Sequence, residues 1–314
     1  MGSYIVGRLL QSIPVLFLTS VVVFLMIRAI PGDPALILAG QSATEQQVAA
    51  LHQRLGLDEP VLRQYINWVG RLLHGDLGMS YVTNRPVSEL ILSRIPATLH
   101  LSIGAMLVIT LFGVPIGILS AIRPTSIFSK VAILANSLLI AVPSFWLGIL
   151  LILLFAVSLQ WLPASGYVPI WEDPVDSIVH LILPSFTLGA YGTAVMIRFL
   201  NASIRETMGS DHIRTAYAKG LNERGVVERH VLRISLLPVV TIMAIQFGQL
   251  LSGAVVTEAI FGWPGIGRLI VDSVGNREYQ ILQSTMLIFV FMFIVLNILA
   301  DACYALLDPR IRLS

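Results

Sequence analysis

The chain has 314 residues, 56% hydrophobic and only 12% charged, with a mean hydropathy of +0.82. A soluble domain carries about a quarter charged residues, so these values describe a membrane protein. The net charge of +2 is too small to point to nucleic acid, and one cysteine, Cys303, excludes an intramolecular disulfide and a cysteine-based zinc site.

Arg8 precedes the first apolar run, Leu9–Ile30, as in a signal peptide. Its 22 residues exceed the usual apolar region of one, and no small-x-small cleavage site follows before Pro31-Gly32-Asp33-Pro34, so a retained span is expected. The next segment, Pro31–Ala97, is soluble in character. Thr44 followed by Glu45-Gln46-Gln47 predicts a capping box, and Val48, Leu51 and Leu55 mark a helical face ending near Gly56. Leu62, Ile66, Val69 and Leu73 are in phase for a second helix over Pro60–His74, stopped by Gly75. This segment is a small helical insertion or a cap lying on the membrane surface.

Five further runs reach the roughly 20 residues a spanning helix needs: Thr98–Ile122, Val131–Ser158, Ser177–Leu200, Leu237–Ile260 and Ile281–Leu306. Six spans place both termini on one side. Arg8, Arg123 with Lys130, the seven Lys and Arg from Arg198 to Arg233, and Arg310 with Arg312 all fall on that side, which is therefore the cytoplasm. Leu159–Asp176 has no Lys or Arg, as an outer connection should. The organisation expected is 1–30 as the amino terminus and first span, 31–97 as an extracytoplasmic helical segment, 98–306 as a five-helix core with a cytoplasmic segment 210–237, and 307–314 as a cytoplasmic tail.

Within the spans, Gly104, Gly113, Pro115 and Gly117, then Pro143, Ser144 and Gly148, predict close helix packing. In the fifth span Gln246, Gln249 and Ser252, with Gly248 and Gly253, fit a polar path as well as they fit packing. Glu172, Asp173 and Asp176 occupy an outer loop without a basic residue. Glu258 lies roughly 30 Å along a helix from Pro238, near the outer boundary. Together these acids would make an electronegative mouth. The plainer alternative is that the loop acids are solvated and Glu258 bonds to backbone in the Phe261–Gly267 turn.

Catalytic machinery is missing from the pattern. No G-x-x-x-x-G-K-[ST] occurs, so the chain is not expected to hydrolyse ATP itself. Gly262-Trp263-Pro264-Gly265-Ile266-Gly267 lies between two spans and reads as a tight turn rather than a dinucleotide loop. Six histidines are scattered singly, without a metal-binding spacing. No G-x-S-x-G supports His180 and Ser252 as an intramembrane protease pair. No catalytic residue, metal or cofactor is assigned to this chain.

The segment Arg214–Pro238, RTAYAKGLNERGVVERHVLRISLLP, is basic and has a helical pattern. Ser210-Asp211 predicts an N-cap, Lys219 suits a last turn, and Gly220 sits where a left-handed residue ends a helix. Asn222 then caps a second helix over Glu223–Leu237, and Pro238 opens the fifth span. A docking peg and a solvated positive-inside hairpin both fit this pattern.

The same segment resembles the cytoplasmic EAA loop of permease subunits in binding-protein-dependent ABC importers. Ala216 matches its second alanine, Gly220 its glycine and Leu236-Leu237-Pro238 its end. Arg214 and Thr215 replace the Glu-Ala, as in the peptide and nickel branch, so a glutamate-mediated contact is not carried over. IPGDP at Ile30–Pro34, LGLDEP at Leu55–Pro60, GDLGMS at Gly75–Ser80, IPATL at Ile95–Leu99, WLPASGY at Trp161–Tyr167, LPSFTLG at Leu183–Gly189, FGWPGIGRL at Phe261–Leu269 and DPRIR at Asp308–Arg312 are similar to blocks in the dipeptide, oligopeptide, glutathione and nickel permeases.

The resemblance implies an all-α membrane protein of the type I ABC importer permease fold, with six transmembrane helices and a helical extracytoplasmic insertion after the first. It implies a bacterial inner membrane location and a homologous second permease as partner. Two cytoplasmic ATP-binding subunits carry ATP and Mg, and an extracytoplasmic solute-binding protein delivers cargo. Arg214, Thr215, Ala216, Tyr217, Lys219, Gly220 and Leu221 become the ATPase-coupling residues. The cargo is then a peptide or glutathione-like molecule, with a nickel chelate as the alternative within the family. A self-sufficient secondary transporter or channel is the alternative from another class, but Arg28, Glu258 and Asp301 fall near span ends instead of forming a charge relay at mid-bilayer. Composition alone also leaves open a scaffolding subunit.

Overall fold

A computed structural model describes residues 2–29, 34–39 and 43–307, and every regular element among them is helical. Most of the IPGDP block and the whole of DPRIR lie outside these residues. The chain divides into two compact units, one holding Ala97–Pro264 and the other the residues up to Pro96 with Gly265–Ile298.

In the second of these, α1 (Gly2–Arg28) is an apolar helix with Pro14 inside it. A short α2 (Pro34–Ala39) leads to α3 (Glu45–Leu55), which carries the expected capping box. Thr44 Oγ1 accepts from Gln47 N and the Gln47 side chain accepts from Thr44 N, while Gly56 ends the helix at φ 66°. The amphipathic α4 (Val61–Leu73) ends before Gly75 at φ 77°. The GDLGMS block then folds onto α15 (Tyr279–Leu307) and the residues before it. There the buried Glu278 carboxylate accepts from Ser80 Oγ at 2.8 Å and Tyr81 N at 2.9 Å, and Ser284 Oγ donates to Leu77 O at 3.1 Å. Val87, Ile91, Leu269 of α14 (Ile266–Gly275) and Ile281 form the apolar core beneath.

The helix expected from Thr98 begins at Val87, as α5 (Val87–Val108). Ser88, Glu89, Ser93 and Arg94 in its first turns lower the local hydropathy and conceal its start. A π-helical turn over Ile109–Gly113 precedes Pro115, which has no N–H to donate, and α6 (Val114–Ile122) follows.

The third apolar run is not one straight span. α7 (Ile127–Ala141) and α8 (Ser144–Leu151), with the π-helical turn Ile152–Ser158 that continues α8, meet at a bend of 110°. Val142 is forced extended by the following Pro143, which in turn caps α8 without a side-chain bond. Among the described residues four helices are long and apolar enough to cross a membrane, or five if the bent pair is one span. The sixth run lies in α15, apolar over Tyr279–Val295.

The centre of the Ala97–Pro264 unit is α9 (Pro174–Met208). Its 35 residues extend roughly 50 Å, well beyond a ~30 Å hydrocarbon layer, so one end must project. Glycines set how closely α5 and α6 approach it. A Cβ at Gly113 would stand 3.0 Å from that of Met196, and one at Gly117 3.0 Å from that of Leu200. This is the packing role expected of these small residues. Leu101, Ala105, Ile109, Leu188, Met196 and Leu200 form the core that results, with Leu250 and Ala254 of α13 (Leu237–Ile260) against it.

Candidate functional site

The projecting end of α9 carries a helical hairpin. α10 (Asp211–Ala218) follows Ser210, and Gly220 ends it in the left-handed region at φ 81°. Ser210 has the extended backbone of an N-cap, but its hydroxyl does not cap; it donates to Thr207 O at 2.5 Å and lies 2.9 Å from His212 Nδ1. Asn222 does cap the next helix, its Oδ1 accepting from Gly225 N at 2.9 Å. That helix is not uniform: α11 (Glu223–Val226) passes through a π-helical turn, Val227–Val231, into α12 (Leu232–Ser235), and a turn at Leu236 precedes α13.

Two of the eight α10 residues are buried, Ile213 and Ala216, one turn apart. They pack with Ile204 of α9, Ala121 of α6, Val226 and Val231. Ala216, expected among the ATPase-coupling residues, is covered by the chain's own helices. Arg214, Thr215, Tyr217, Lys219 and Gly220 are exposed, and Leu221 is half-buried. The outward face of the hairpin thus carries Lys219, the Tyr217 ring and Arg214, whose guanidinium lies 3.5 Å from the exposed Asp211 carboxylate.

The residues considered for a path or mouth separate into three settings. On α13, Gln246 is buried and its Nε2 donates to Gly192 O at 3.1 Å, so it ties α13 to α9 rather than lining a channel. Gln249 and Ser252 are exposed with Ile245 and Val256, all on one helical face, and Ser252 Oγ donates to Gln249 O at 2.9 Å.

Glu258 is not at an open mouth. It is wholly buried, and Thr98 Oγ1 donates to its Oε1 at 2.7 Å. Beside it Trp263 N donates to Glu258 O at 2.9 Å, and Trp263 Nε1 donates to Ala97 O at 2.8 Å. Gly166 N donates to Phe261 O at 3.1 Å, and the Tyr167 ring meets that of Trp263 at 4.7 Å. Residues of the IPATL, WLPASGY and FGWPGIGRL blocks therefore converge on one buried corner. Sequence reading missed Thr98 as the partner of Glu258, since nothing local links positions 160 residues apart.

Of the loop acids, Glu172, Asp173 and Asp176 are all exposed. Asp173 is committed to capping α9, accepting from Val175 N and Asp176 N at 3.0 Å each. Asp176 lies 3.2 Å from His180 Nδ1. Burial first, and the Glu172 carboxylate second, push the Tyr167 phenol above its usual pKa. An acidic surface is present, but only Glu172 on it has no structural task shown by these bonds.

Residues 113–313 match the family described as binding-protein-dependent transport system inner membrane component, and residues 1–102 match the N-terminal family of the same membrane components. The chain is 44% identical over 312 residues to the glutathione transport system permease protein GsiC of Escherichia coli O6:H1, covering 99% of each chain. It is 44% identical over 312 residues, with the same coverage, to that of Salmonella choleraesuis. Among solved structures, the inward-facing MetNI methionine ABC transporter aligns with a TM-score of 0.57 at 14% identity, covering 70% of this chain and 97% of that one. An amino acid ABC transporter aligns with a TM-score of 0.52 at 16% identity, covering 71% and 95%. The structural matches carry the fold, and the near-complete overlap with the permeases carries the family: the chain belongs to the binding-protein-dependent inner membrane components and is an ABC importer permease.

Proposed function

We propose that this permease forms half of the translocation path for glutathione or short peptides, driven by ATP hydrolysed on partner subunits. The observation that carries the cargo is the 44% identity to glutathione permeases over 99% of both chains. In this scheme a homologous second permease completes the path, two cytoplasmic ATPases bind beneath, and a solute-binding protein delivers cargo from outside. ATP and Mg are held by the ATPases.

The hairpin is suited to coupling. Arg214, Thr215, Tyr217 and Lys219 offer an outward surface to an ATPase, while Ile213 and Ala216 fix α10 to α9 and α6. A displacement of α10 is then handed to two helices of the core rather than absorbed by a loose loop. In this reading Gln249 and Ser252, exposed on one face of α13, supply polar groups to the path against the second permease.

The cargo is tested in vesicles containing the assembled importer and its solute-binding protein. ATP-dependent accumulation of labelled glutathione is expected, and transport of a nickel chelate with none of glutathione would overturn the assignment. The orientation is tested separately, in intact cells. A cysteine at the exposed Ser165 should react with an impermeant thiol reagent and one at the exposed Lys219 should not; the reverse pattern would invert the topology and remove the ATPase contact from the hairpin.

A further inference from the structure

The helix α4 has one broad apolar face and only part of it is covered. One part of that face is docked on α1. The Phe24 ring meets Tyr65 edge-on at 5.2 Å and stacks on Trp68 at 5.6 Å with 28° between the planes. Ser20 Oγ lies 2.8 Å from Tyr65 Oη, and Arg28, whose guanidinium sits 3.8 Å from the Phe24 ring centre, donates to Gln64 Oε1.

The uncovered part is a stripe of Leu62, Ile66 and Leu73, which are 69%, 59% and 82% exposed, with Val69 half-buried between them. At 100° per residue, Val61, Tyr65, Trp68 and Leu72 form one arc and this stripe continues it without a gap. Arg63, Asn67, Gly70, Arg71 and His74 fill the opposite side of the wheel. The apolar surface is therefore continuous, but α1 covers only part of it.

Depth identifies what covers the remainder. The spanning part of α1 is Leu10–Arg28, and its contacts with α4 run from Ser20 to Arg28, the last ~12 Å of the span. A helix held against the flank of a membrane span at that level is surrounded by lipid wherever protein does not cover it. α1 presents Leu18, Val22, Leu25 and Met26 to the same surroundings. Interfacial helices lie about 5–10 Å into the headgroup and acyl boundary, with Trp and Tyr at that level and basic residues toward the phosphates. Arg63 and Arg71, exposed on the side of the wheel away from the stripe, match the basic part of this arrangement, while Tyr65 and Trp68 are taken up by the contact with Phe24.

We propose that α4 is an interfacial helix lying in the lipid leaflet around the Arg28 end of α1, with Leu62, Ile66 and Leu73 among the acyl chains and Arg63 and Arg71 at the headgroups. α4 then holds that end of α1 at a fixed depth while other helices tilt. The inference rests on α1 crossing the membrane, but not on which side the termini face or on the cargo, so its failure is distinguishable from failure of the proposed function.

The test uses the assembled importer in vesicles of phosphatidylethanolamine and phosphatidylglycerol. Cys303, the chain's only cysteine, is replaced by serine, and single cysteines at Leu62, Ile66, Leu73, Asn67 and Arg71 are spin-labelled. All five positions are exposed, so the substitutions leave the packing intact. Labels at Leu62, Ile66 and Leu73 should collide with dissolved oxygen severalfold more than with a water-soluble nickel chelate, and labels at Asn67 and Arg71 should show the opposite preference. Free access of the chelate to all five would overturn the proposal. So would protection of the stripe that appears only when the solute-binding protein is added, which would make the stripe a protein-docking surface.

Discussion

Ala216→Asp is expected to abolish ATP-driven uptake by dismantling the hairpin from within. Ala216 is 5% exposed and packs among the apolar side chains of Ile204, Ile213, Val226 and Val231. Burying an unpaired carboxylate there costs on the order of several kcal/mol, more than a short hairpin can absorb. Tyr217→Ala is the discriminating comparison, because Tyr217 is exposed and its loss leaves the cluster whole. Both variants should lose uptake if the hairpin couples to an ATPase. Only Ala216→Asp should become an easy substrate for limited trypsin cleavage at Arg214, Lys219 and Arg224. If Ala216→Asp keeps wild-type uptake and protease resistance, α10 does not hold the position described. If Tyr217→Ala transports normally, the outward face is not the coupling surface.

The features legible in the sequence were those fixed over a few residues. Thr44 with Gln47, Gly56, Gly75, Gly220 and Asn222 could be assigned because a cap or a left-handed residue acts on backbone groups within four positions. The bounds of α13, Leu237–Ile260, agreed with expectation because a proline opens it and a glycine-rich turn closes it. The bend at Val142 was hidden for a different reason. Pro143-Ser144 fits helix packing as well as a break, and only the backbone shows which occurred.

Side-chain direction was less legible than helix position. In an eight-residue helix with two buried positions, the period is sampled too few times to tell an inward alanine from an outward one. Gln246 and Gln249 look equivalent in sequence, yet a rotation of 300° puts one on a backbone carbonyl of α9 and the other on an exposed face. Glu258 was placed near the outer boundary by counting along the helix, which gives height but not burial. Its Thr98 contact depends on two helices meeting and on no local signal. The family is legible in the sequence because several matched blocks in order exclude far more alternatives than any one of them does.

The buried corner where these blocks meet should also contribute strongly to the stability of the Ala97–Pro264 unit. Trp263 is fully buried, packed on Tyr167 at 4.7 Å and His100 at 5.9 Å, and its indole N–H is bonded to Ala97 O. Trp263→Ala removes that packing and bond together, an expected loss of about 3–5 kcal/mol. The thermal midpoint of the purified permease in detergent should fall by on the order of 10 °C, taking the scaling of a domain of roughly this size. Trp263→Phe keeps one six-membered ring but loses the rest of the indole volume and its bond to Ala97 O, so it should lose a smaller amount, about 1–3 kcal/mol. The ordering of the two variants carries the test. Equal midpoints for Ala and Phe would mean that ring packing is not what holds the corner. A Phe variant as damaged as the Ala variant, both far below wild type, would transfer the weight to the single bond at Ala97. The expected graded loss instead makes the ring the wedge that holds α5 against the end of α13, and keeps Glu258 and Thr98 in the contact that neither could maintain in water.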